Sequence, residues 1–151
     1  MTRTARNRIA AGLGIVAGAV ILTACSEPAP NVTAQSGTDS VIVKPSTYCF
    51  DANHCKQHGV DVPTLNVRLD DKVLVDVPKK VADKGWAVQA VQADGKTVLG
   101  NSGKITDSHS YRVPTSLNEG SPFIVQVLQL DGNKSDGSMW SFVVKPNPTK
   151  S

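Results

Sequence analysis

Chemically reactive groups are scarce in this chain. Its 151 residues hold only three histidines and three cysteines, and no nucleophile elbow, H-E-x-x-H pair or phosphate-cradling glycine loop is present. Ser108-His109-Ser110 is an adjacency within a strand-like segment. There, consecutive side chains point to opposite faces and do not converge as nucleophile and base. An enzyme is not expected, and no cofactor is implied. Aromatic residues are also few, at two tryptophans, two tyrosines and three phenylalanines. Most sit where alternation turns them inward, which leaves Tyr48 and Phe50 as the candidates for a stacking surface toward a cell-envelope glycan or lipid.

A hydrophobic run long enough to span a bilayer is missing as well. Ile9 to Leu22 is apolar but glycine-interrupted, and shorter than the roughly 20 residues a spanning helix needs. Arg3, Arg6 and Arg8 precede it, and Leu22-Thr23-Ala24-Cys25 closes it. This charged start, apolar middle and small-residue end have the order of an export signal. The closing four residues resemble the lipobox of bacterial lipoprotein precursors. The resemblance implies removal of residues 1–24, a diacylglyceryl thioether on Cys25, and tethering to the outer face of the plasma membrane. Each buried CH₂ of such a lipid adds about 0.8 kcal/mol of membrane affinity, so two chains anchor durably.

Charge of one sign is lacking once that leader is set aside. The chain carries sixteen Lys and Arg against thirteen Asp and Glu. Arg3, Arg6 and Arg8 lie in the leader, so the remainder is balanced, and nucleic acid is not an expected partner. With Cys25 lipidated, Cys49 and Cys55 form an even pair in an oxidising compartment, and a structural disulfide is expected. His54 and His58 flank Cys55, yet the C-x-x-C redox spacing is absent and no fourth zinc ligand is evident. Solvated histidines beside a disulfide are the expectation, with no metal. Tyr48, Phe50, His54 and His58 together mark one candidate binding corner, and the glycine-rich loop from Asp131 to Met139 marks a second.

Residues 26–40 are small, polar and proline-containing, the composition of a flexible tether about 20 Å in mean reach. From Val41 onward, short β-branched runs alternate with turn residues. Val41 to Val43, Leu65 to Leu69, Val73 to Val77, Gly85 to Gln92, Thr97 to Leu99, the run around Ile105, Ser110 to Val113, Phe123 to Leu130 and Trp140 to Val144 read as strands. Asp70-Asp71-Lys72 reads as a hairpin turn or a tight reversal between two of them. Trp86, Trp140 and Phe142 are expected inside, and Phe123 to Leu130, apolar on nearly both faces, is expected to be central. Ser116-Leu117-Asn118-Glu119 matches a capping box, but Gly120-Ser121-Pro122 follows it, so a turn is expected.

About seven such strands and almost no helical period predict an all-β fold, a single antiparallel β-sandwich of immunoglobulin-like or fibronectin type III-like form. It is expected to span residues 41–146, with 147–151 as a tail. The order of features (lipobox, Tyr48-Cys49 with Cys55 soon after, a strand closing on Val77-Pro78, a lone Trp86 and a final Trp140-Ser141-Phe142 strand) resembles a family of actinobacterial lipoproteins, domain of unknown function 2771. The resemblance implies an envelope location and this fold, and assigns no activity. The expectation for function is a non-enzymatic interaction module, an accessory subunit of an envelope or plasma-membrane protein assembly, tethered through lipid on Cys25.

Overall fold

A computed structural model describes residues 27–147. Cys25 and the leader lie outside the described residues. Two β-sheets pack face to face, as the strand pattern predicts. The first holds β1 (Val32–Ser36), β2 (Asp39–Val43), β6 (Lys72–Asp76) and β9 (Ser110–Pro114) in the order β2-β1-β6-β9. The second runs β4 (His54–Gln57), β3 (Pro45–Asp51), β11 (Lys134–Asn147), β10 (Phe123–Asp131), β7 (Trp86–Val91), β8 (Val98–Asn101), with β5 (Thr64–Arg68) also on β11. A short helix, α1 (Lys79–Ala82), and a 3-10 turn at Thr115–Asn118 complete it. No helix among the described residues is long and apolar enough to cross a membrane.

The core forms where alternation puts large side chains on inner faces. Val32, Ala34, Val43, Val73, Val75 and Val113 of the first sheet meet Trp86, Val88, Phe123, Val125, Val127, Trp140, Phe142 and Val144 of the second, all buried. Strand β10 is central, flanked by β11 and β7. Trp86 is sealed in, with its indole N–H donating to the Ser108 carbonyl at 2.9 Å. Its backbone also pairs with Ile105, holding the loop before β9 against the sheet.

Three expectations need correction. Residues 32–40 are not tether: β1 pairs with both β2 and β6, and Val32, Ala34 and Ser36 point inward. Alternation is present there, but in small residues (Val-Thr-Ala-Gln-Ser) that register as linker composition. The reversal at Asp70-Asp71-Lys72 is tight, with Asp71 N–H donating to the Arg68 carbonyl, but it does not join a hairpin. It carries the chain from β5 in one sheet to β6 in the other, and Thr115, buried, clamps the turn through the carbonyls of Leu69 and Asp71. Finally, β5 runs parallel to β11, Thr64–Arg68 against Val143–Asn147, so one pair departs from an otherwise antiparallel arrangement.

The long strand β11 sets the ends of the molecule. Its Lys134 end lies with the β3–β4 turn and α1, and its Asn147 end with the β1–β2 and β5–β6 turns.

Candidate functional site

At the Lys134 end, the two candidate loops come together. The β3–β4 turn contributes Cys49, Asp51 and Ala52, and the β10–β11 turn contributes Leu130, Asp131, Lys134, Ser135 and Asp136. Lys84, just after α1, closes a cleft of about 670 Å³. Six of its nine lining residues are charged or polar, while Cys49, Ala52, Leu130 and the side-chain stems give it an apolar surface as well.

The floor is held by a disulfide. Cys49 and Cys55 face each other across the β3–β4 ladder with Cα atoms 3.9 Å apart, and they are bonded. Gly137 lets β11 pass against this bridge: its φ is +97°, and a Cβ there would sit 3.0 Å from Cys49 Sγ. Ser138, fully buried, accepts the Cys49 N–H at 2.9 Å. The hairpin is thereby fixed to β11 by a covalent link within itself and a buried hydrogen bond outward. Every residue of β4 is exposed, so little apolar burial holds this strand. Replacing both Cys49 and Cys55 by alanine should lower stability by about 2 kcal/mol, since a closed loop this short restricts the unfolded chain only modestly. Urea unfolding checks this, and an unchanged midpoint would show that the bridge does not constrain the unfolded ensemble.

Behind the cleft lies a polar core cluster. Gln129, fully buried at the end of β10, donates through Nε2 to Asp136 Oδ2 at 2.9 Å, while its Oε1 has no partner. Asp136 Oδ1 accepts the Ser138 N–H at 2.8 Å, and Lys84 Nζ lies 3.9 Å from Oδ2. A buried amide is costly unless hydrogen-bonded, and the carboxylate offsets that cost by fixing the β10–β11 turn. Period two puts Gln129 on the face of Phe123, Val125 and Val127, but no sequence signal marks its pairing with Asp136.

The histidines of the corner differ from each other. His54 is exposed, its Nδ1 2.7 Å from Asp51 Oδ2. The Asn53 N–H and then His54 hold the Asp51 carboxyl below the usual carboxylate range. His58 is not solvated as expected: it is half-buried, its backbone N–H bonds Ser46, and its Nε2 is enclosed without a partner. No group of three or more His, Cys, Asp or Glu among the described residues is placed to hold a metal. His109 is exposed at the start of β9, and the Ser108 hydroxyl is bonded to the backbone of Ser110.

The stacking surface is corrected too. Tyr48 is buried at 1% exposure, packed edge-on against Trp140 with ring centroids 6.0 Å apart. Phe50, at 37% exposure, leans on Tyr48 with centroids 4.9 Å apart. Tyr48 is thus core and Phe50 stands alone, which removes the aromatic platform that a glycan-binding reading needs.

Beside the cleft, the chain's first described residues are pinned. The Trp140 indole N–H donates to the Pro30 carbonyl at 2.8 Å, and Ala29 packs on the core. Glu27 Oε2 receives Lys80 Nζ of α1 at 2.8 Å, and this carboxylate holds the Lys80 ammonium above the ordinary lysine range, aided by Tyr48. The exposed pair alone would hold weakly. The indole bond and the packing of Ala29 supply the rest.

Fold and site together define an all-β sandwich with a disulfide-braced, charged cleft at one end. The chain belongs to the family described as protein of unknown function DUF2771, which matches residues 25–133. That match covers both cysteines of the bridge and Trp86, and it ends in the β10–β11 turn, so the Trp140 strand lies beyond it. No curated protein and no solved structure matches the chain.

Proposed function

We propose that this protein is a lipid-anchored, extracytoplasmic interaction module without catalytic activity, an accessory subunit of a plasma-membrane protein assembly that engages its partner through the end cleft. The observation that carries the proposal is the convergence on that cleft of two loops far apart in sequence. A disulfide braces one of them and the buried Gln129–Asp136 pair braces the other. Its lining of Asp51, Asp131 and Asp136 with Lys84 and Lys134 suits a protein surface of complementary charge. Five charged side chains around one cleft exceed the few placed polar groups of a typical small-molecule site, and complementary charge selects protein partners. Anchoring is supported by the Leu22-Thr23-Ala24-Cys25 sequence and by the family match, which opens at Cys25.

Affinity capture of the full-length protein from gently solubilised membranes should recover a stoichiometric partner. Reversing the rim charges, Asp131→Lys with Lys134→Glu, should abolish recovery while leaving the fold intact, because both residues are exposed. Recovery of the lipoprotein alone under several detergents, or of the same partner by the reversed variant, would contradict the proposal.

A further inference from the structure

We infer that the sandwich does not float on a tether but sits directly on the bilayer, with its α1 end turned toward the phospholipid headgroups, so that the neighbouring cleft meets a membrane-embedded partner at the bilayer surface; this rests on the anchoring of Cys25 proposed above. Only Ser26 separates Cys25 from Glu27, two peptide steps with a covalent reach of about 7 Å at most. Glu27 is in turn bonded to Lys80 of α1, and Pro30 to Trp140. A tether as long as residues 26–40 would let the domain reorient at a mean distance of about 20 Å. With residues 29 onward taken into the fold, that freedom is gone. The end of the sandwich that receives Ala29, Pro30 and the Glu27–Lys80 pair is therefore held toward the membrane.

That surface is lysine-bearing. Lys79, Lys80 and Lys84 lie on or just beyond α1, and the Lys104 side chain extends over Gly85 next to them. Lysine stems lie along apolar material while the ammonium reaches outward, which suits the headgroup layer. The facing acids are Glu27 against Lys80, Asp83 against Lys79 and Asp136 against Lys84. With the cleft's Asp51, Asp131 and Lys134 at the same end, the lysines are largely offset by carboxylates, so the lipid on Cys25 does the holding and the lysines mark the facing surface. Salt should therefore not release it, in contrast to a surface held by charge alone. At the other end, Lys72 opens β6, Lys145 pairs near the end of β11 and Lys96 lies in the β7–β8 turn. These three would point away from the membrane.

The test uses full-length lipoprotein reconstituted in vesicles of phosphatidylcholine and phosphatidylglycerol, doped with a phospholipid whose headgroup carries an amine-reactive succinimidyl ester. Mass spectrometry first establishes the state of Cys25, then maps the lysine adducts. The expected result is several-fold enrichment of adducts on Lys79, Lys80, Lys84 and Lys104 over Lys72, Lys96 and Lys145, unchanged by salt. Inserting a Gly-Ser segment of about 20 residues between Ser26 and Glu27, which restores a flexible reach of about 25 Å, should erase the enrichment without touching the fold. Even labelling of the lipidated parent, or enrichment at Lys72, Lys96 and Lys145, would overturn the inference and leave the anchor standing. Protein lacking lipid on Cys25 would overturn both.

Discussion

Replacing Trp140 with alanine should lower the free energy of unfolding by about 3–5 kcal/mol, the range for emptying a fully buried indole site. Trp140 has no exposed surface and meets the Tyr48 ring edge-on. It is also the hydrogen-bond donor that holds the Pro30 carbonyl. The substitution therefore opens a cavity beneath β3, removes an aromatic pair and leaves a part-buried carbonyl unmatched. Trp140→Phe separates these effects: it keeps most of the apolar burial and loses the donor, so the cost falls to about 1 kcal/mol for the bond plus a smaller packing term. In that variant, proteolysis should reach residues 27–31 much faster while the remainder stays resistant. Urea unfolding followed by the fluorescence of Trp86 measures the first effect and limited proteolysis the second. A loss under about 1 kcal/mol for Trp140→Ala would mean that the site collapses around the vacancy and that the indole is not the keystone of the β3–β11 contact.

The second large effect concerns Cys25. Under the proposed anchoring, Cys25→Ala should move the protein entirely from the membrane fraction to the soluble fraction, with its thermal unfolding unchanged. Two acyl chains, each adding about 0.8 kcal/mol per buried CH₂, make membrane residence effectively permanent, and nothing in the balanced charge of the mature chain replaces them. The bridge between Cys49 and Cys55 is unaffected, since its partners face each other within one hairpin. Retention on membranes, after a high-salt wash, of Cys25→Ala protein that has lost residues 1–24 would show that a protein partner, not lipid, provides the attachment.

What could be read in advance tracks side-chain size. Strands β6, β7, β10 and β11 are legible because Val73, Val75, Trp86, Phe123, Val127, Trp140 and Phe142 mark an inner face at period two, and each of these is buried. Strand β1 was hidden because Ala34 and Ser36 occupy the same inward role with little hydrophobic signal. Strand β4 has no inward residue at all; register with β3 and the disulfide define it. The Cys49–Cys55 pairing followed from there being only two cysteines after Cys25. The cleft was half legible: each loop stood out by composition, while their convergence depends on β3 and β10 both pairing with β11. Sequence pattern does not encode such a meeting. Tyr48 misled for a related reason. A tyrosine beside a surface hairpin looks like an exposed ring, yet β3 enters the second sheet there, and Trp140 supplies a packing partner ninety-odd positions away.

The same strand pairing explains why residues 27–36 are ordered despite a linker-like composition. Polar, proline-containing segments are usually unable to bury enough surface to order themselves. Here the deficit is met from outside the segment, by an indole donor, a lysine and an open edge on β6. None of these neighbours is close in sequence.

The proposed anchor at Cys25 underlies both the membrane-facing orientation and the partner. Intact-mass measurement of the protein extracted from membranes of the producing cell should find a polypeptide starting at residue 25, heavier than its sequence by a diacylglyceryl group, with Cys49 and Cys55 oxidised. A species bearing an unmodified Cys25, or one still carrying residues 1–24, would contradict it.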